Sequence, residues 1–269
     1  MVLEQILNAR FVYKKQYAFL LGLVYTIVGI ISARLVFASS TGIMSVAFTS
    51  ILLIPSLAEL LKIEAGQALH ESRFSVKRLY KDHSDIFMMY VAMFLGIFVA
   101  YSISTLLIPE ASLSQLFSQQ LKAAGLRGYA TANTQLLSII INNLLIFAVA
   151  FVLSFVYGAG AVLFLVWNAS VWGVVFSLFV RKAATFAGED PVVAFAREVV
   201  PFIPHMVTEG IAYIGAAIVG GVVSKAMLQQ KLFSKRFNII VKDALFFLAV
   251  GVVVVIIAGM IEVWFFARL

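Results

Sequence analysis

PFIPHMVTEGIAYIGAAIVGGVV, residues 201–223, decides what kind of protein this is. Almost every position is apolar or small, and the run is long enough to cross a bilayer, which takes ~20 residues at 1.5 Å rise each. Yet His205 and Glu209 sit inside it, one helical turn apart and on one face. A charged side chain at the centre of a membrane costs at least ~2.5–3.5 kcal/mol, so such residues turn toward protein, a cavity or a partner. The pair marks the first place to seek function. Pro201 and Pro204 at its start leave open a re-entrant segment in place of a span.

The chain around this stretch has the same character. Of 269 residues, 62% are hydrophobic and 12% charged, and the mean hydropathy is +1.03. Soluble domains run near ~45–50% and ~25%. Segments of spanning length fall at 17–37, 41–61, 85–108, 136–157, 160–180, 200–224 and 243–266. The expected fold class is all-α: a polytopic transmembrane helix bundle of about seven spans. Thirteen of the twenty Lys and Arg residues lie on one side if the N-terminus is cytoplasmic, which fits the positive-inside rule. A sixth segment that failed to cross would leave the basic 225–242 loop outside, against that rule.

The composition also excludes whole classes. Without cysteine there is no disulfide framework, thiolate metal site, cysteine nucleophile, palmitoylation or prenylation. The net charge of +7 is read as basic loops meeting anionic lipid headgroups, with no nucleic-acid partner. The first apolar run, 17–37, exceeds a signal-peptide core of ~7–15 residues and is read as a span. The expected organisation is an N-terminal membrane region at 1–135, a packed core at 136–224, and a basic loop with a final span at 225–269. Residues 3–11 and 112–124 have the spacing of interfacial amphipathic helices, the latter through Leu113, Leu116, Phe117 and Leu121. The basic stretch 62–84 is expected to be partly helical at the inner headgroups, with His70 and His83 as surface residues.

Membrane helices associate where small residues allow their backbones to approach. Three such ridges have four-residue spacing: Ala150, Ser154 and Gly158; Ala169, Gly173 and Ser177; and Ala212, Ala216, Gly220 and Ser224. Tyr157 to Gly160 reads as a tight turn that folds the fourth and fifth spans into an antiparallel hairpin. Counting from the assumed outer ends, Asn142, Asn143, His205 and Glu209 lie within roughly 7–14 Å of one boundary, with Asn168 deeper. These five polar side chains are expected to share one belt, as a packing lock or a binding site. Glu59, Arg34 and Glu262 read as helix-end or interfacial groups.

Catalysis is the weaker reading. His205 and Glu209 could both ligate a metal, but zinc takes three or four protein ligands. The third must come from another helix or a second copy, and the HExxH pattern is absent. Ser154, Ser170 and Ser177 have no triad partner beyond His205. No cofactor is expected.

The order Asn142-Asn143, YGAG (157–160), WNASVWG (167–173), PHMVTEG (204–210) and GAAIVGG (215–221) resembles the stage II sporulation protein M family of multi-pass membrane proteins. The resemblance covers about 136–224. Its pattern has glycine after the histidine and after the fifth-span asparagine, where this chain has Met206 and Ala169. The resemblance implies a scaffold: the namesake holds peptidoglycan-degrading enzymes at the membrane during engulfment. Relatives in organisms that do not sporulate show that this role does not transfer by name. The expected function is a non-enzymatic scaffold or assembly subunit in the cell membrane, homo-oligomeric and open to other membrane proteins. The runner-up is a transporter or channel-like protein that binds a solute, ion or lipid headgroup. A metal-dependent membrane enzyme comes third.

Overall fold

A computed structural model describes residues 14–70, 76–125, 132–158, 162–188, 190, 192–193, 196–197, 200 and 203–266. Its helices are α1 (Lys15–Val36), α2 (Thr41–His70), α3 (Val76–Leu107), α4 (Glu110–Leu116), α5 (Ser118–Gly125), α6 (Ala132–Tyr157), α7 (Val162–Ala187), α8 (Ile203–Gln229) and α9 (Lys235–Phe266), with no strand among the described residues. Seven helices, α1–α3 and α6–α9, are long and apolar enough to cross a membrane. The protein is therefore an all-α polytopic membrane bundle. In lipid the backbone must satisfy its own polar groups, and a helix does so within one segment.

The sixth segment is one continuous 27-residue helix. Pro204 occupies its first turn, where a missing N–H breaks no intrahelical bond. Pro55 sits inside α2 without ending it.

The spans sort into two groups that the chain enters alternately. In one group α1 packs on α2 and α3, and α7 packs on α3 and α2; in the other, α6, α8 and α9 pack on one another. Helix α8 joins the groups through its contacts with α2 and α3. The fourth and fifth spans, adjacent in sequence, barely touch. This corrects the expected hairpin. The ridge of Ala169, Gly173 and Ser177 faces α3: a Cβ on Gly173 would stand 2.8 Å from the Phe98 carbonyl oxygen, and the Ser177 hydroxyl donates to the Ser102 carbonyl at 3.1 Å. The ridges of α6 and α8 do meet each other, with Gly220 against the Phe151 carbonyl and the Ser154 Cβ.

Gly158 is corrected as a packing residue. It ends α6 in the left-handed conformation (φ 65°), and a Cβ there would meet nothing within 4 Å. Glycine serves there because that backbone region penalises a side chain.

The 112–124 stretch is also corrected. It forms α4 and α5, and it plugs the end of the α1–α2–α3–α7 group in place of lying on lipid. Leu113, Leu116 and Phe117 are buried with Gln120, whose amide donates to the Gly42 carbonyl at 3.0 Å and to Ser170 Oγ at 3.4 Å. An amide on the apolar face would be costly in lipid, and here it has protein partners. Arg181 staples the same end, its guanidinium donating to the carbonyls of Thr105, Leu106 and Ile108 at 2.7–2.8 Å. Thr105 and Leu106 are in the last turn of α3 and Ile108 follows it, so these carbonyls lack intrahelical donors and sit at the negative end of the helix dipole. Residues 3–11 and the side chains of 62–84 lie outside the described residues, although α2 and α3 run helical through His70 and from Val76.

Candidate functional site

The site forms where α6, α8 and α9 meet. Four polar residues are buried there: Asn143 on α6 (1% exposed), His205 (4%) and Glu209 (3%) on α8, and Glu262 (3%) on α9. The i, i+4 spacing puts His205 and Glu209 on one face, with His205 Nε2 3.6 Å from Glu209 Oε2. From the neighbouring helix, Glu262 Oε2 reaches to 3.5 Å from the same nitrogen. One imidazole nitrogen thus lies between two carboxylates brought together by two helices. One donor atom from each of the three residues lies within 4.8 Å of the others.

Two further contacts fix the shape of the cluster. The Asn143 amide donates to Glu209 Oε1, and its own Oδ1 accepts from the Asn142 amide at 3.3 Å. That relay holds one oxygen of Glu209 and leaves the other toward His205. Trp172 of α7 stacks on the imidazole, with ring centroids 5.5 Å apart and planes inclined by 29°. Met206, next along α8, packs with Trp172 against Phe176, Val180 and Ala183. The stacked rings bring α7 to the site, although its backbone stays away from α8.

Of the residues expected in the belt, Asn143, His205 and Glu209 come together. Asn142 joins from an exposed position. Asn168 stands apart at another level. It is half-buried, donates to the Phe164 carbonyl of its own helix at 2.9 Å, and borders an apolar cleft with Tyr90, Phe94, Ala150 and Tyr213.

Glu262 corrects the sequence reading, which left it as a helix-end group. The signal was present: it lies four residues before the end of its apolar run, about 6 Å deep, close to the depth counted for the other members. Trp172 was also missed as a site residue. It is one turn from Asn168 within WNASVWG, and on sequence alone an aromatic there reads as ordinary packing.

The family model for stage II sporulation protein M matches residues 86–265. The chain belongs to that family. The match extends beyond 136–224 to take in most of α3 and nearly all of α9, and so includes Glu262. No curated protein and no solved structure matches the chain.

Proposed function

We propose that this family member is a non-enzymatic scaffold, a subunit that assembles with copies of itself or with other proteins in the cell membrane. The supporting observation is the extent of α2 and α3. The apolar runs of the sequence end at 61 and resume at 85, yet α2 continues to His70 and α3 starts at Val76. About nine helical residues on each side, roughly 14 Å of helix, lie beyond those runs. The sequence of this arm carries Lys62, Arg73, Lys77, Arg78 and Lys81. A charged helical pair beyond the headgroups suits protein docking, or contact with anionic lipid. The 110–125 segment is spent on closing the bundle.

Cross-linking in native membranes tests this. Reversing the charge of Lys77, Arg78 and Lys81 should abolish cross-linked partners or oligomers while the protein still elutes as one species. Unchanged cross-links would refute the docking role of the arm.

A transporter has one observation in its favour, the cleft between the two helix groups at Tyr90, Asn168 and Tyr213. It requires solute flux in proteoliposomes that His205→Ala abolishes without dissociating the oligomer. The scaffold requires no flux, and weakened assembly in that variant.

A further inference from the structure

We propose that His205, Glu209 and Glu262 form a divalent-cation site, with zinc the ion its donors suit best, clasping α8 to α9. The proposal stands on the geometry of the cluster and is independent of the scaffold role.

The separations within the cluster fit a ligand set. A direct N–H···O bond spans ~2.7–3.2 Å. The imidazole nitrogen is 3.6 Å from one carboxylate oxygen and 3.5 Å from the other, too far for either bond. Ligands around tetrahedral zinc, at ~2.0–2.1 Å from the metal, stand ~3.3 Å from each other. Both observed separations lie within a few tenths of an ångström of that figure. One donor atom from each of the three residues lies within 4.8 Å of the others.

Charge is compatible with this: a divalent cation with a neutral imidazole balances two carboxylates and leaves no net charge.

The donor set narrows the ion. One imidazole and two carboxylates are borderline to hard ligands, suited to zinc and less to calcium or magnesium, which take oxygen alone. Three protein ligands leave a fourth position for water. Metal ligands are commonly held in orientation by outer contacts, and Glu209 has one. Asn143 holds Glu209 Oε1, and Trp172 fixes the plane of the imidazole. Glu262 supplies the third ligand that the sequence lacked within α8.

The experiment is zinc uptake by purified protein in lipid nanodiscs, stripped with a chelator and checked to be monodisperse. The wild type should bind about one zinc per chain and, with cobalt(II), show the visible bands of a tetrahedral N/O site. His205→Ala and Glu262→Gln should weaken zinc binding at least tenfold. Asn143→Ala should weaken it by about tenfold, at the low end for an outer contact. Zinc should raise the unfolding temperature of the wild type but not of Glu262→Gln, since only a folded site binds it. Stripped wild type that stays monodisperse and takes up neither zinc nor cobalt overturns the proposal, whatever the variants do. So does uptake that persists at wild-type affinity in folded Glu262→Gln.

Discussion

The two helix groups are made of similar apolar helices in the same solvent, yet different forces hold them. The α1–α2–α3–α7 group relies on close backbone approach. Gly22 of α1 rests on the Met93 carbonyl and Gly96 of α3 on the Phe19 carbonyl, with no room for a Cβ at either. Its polar contacts include neutral bonds between helices, such as the Ser45 and Tyr101 hydroxyls at 2.8 Å, and the Arg181 guanidinium on the end of α3. The α6–α8–α9 group sets one glycine, Gly220, on a partner's backbone, with Gly251 and Gly259 against the Phe147 and Ile140 side chains, and it buries three ionisable groups and an amide at one end. Tight packing alone suffices for a stable membrane bundle. Ionisable residues in the second group are therefore an expense that packing did not require.

Four substitutions bear on this contrast. The largest effect belongs to His205→Ala, which leaves Glu209 and Glu262 facing each other. Breaking a buried ionic cluster costs on the order of 3–5 kcal/mol, seen as a large fall in unfolding temperature in detergent. A loss below ~1 kcal/mol would mean that the cluster does not hold the second group together. Next is Gly96→Ala, whose added methyl must push α1 from α3; overpacking of this kind costs about 1–3 kcal/mol. Helix cross-linking between α1 and α3 should weaken, while zinc uptake stays unchanged.

Arg181→Ala removes three carbonyl contacts, but the side chain is partly exposed. We expect about 1 kcal/mol, below the ~1.5–3 of a buried charged hydrogen bond, with protease sensitivity rising at the α4–α5 plug. The smallest effect is Gly215→Ala in α8, where a Cβ meets nothing within 4 Å. That change should be neutral or stabilise by up to ~1 kcal/mol through helix propensity. A clear loss there would show that another surface packs on α8 in the membrane.

Much of the fold was legible in residue order. Each of the seven segments counted from the sequence falls on one observed span, the fifth and sixth spans running five residues further and the seventh starting eight residues earlier. Asn143, His205 and Glu209 were also legible, because polar residues stand out in an apolar run. The partners of each helix were not. The fifth span carries a small-residue ridge that fits α3 and would have fitted α6 as well, since such a ridge records close approach without naming the neighbour. Glu262 was read by its position on one helix, while its role depends on which helix lies beside it.

The sequence by itself determined that this is a membrane bundle of seven spans, because bilayer thickness dictates the length of each apolar run. Only the tertiary structure decided that the spans interleave into two groups, and that His205, Glu209 and Glu262 converge. In lipid, the faces of a helix that meet protein and those that meet hydrocarbon are equally apolar. The pattern that reveals burial in a soluble protein is then missing, and helix pairing is settled by fit in three dimensions.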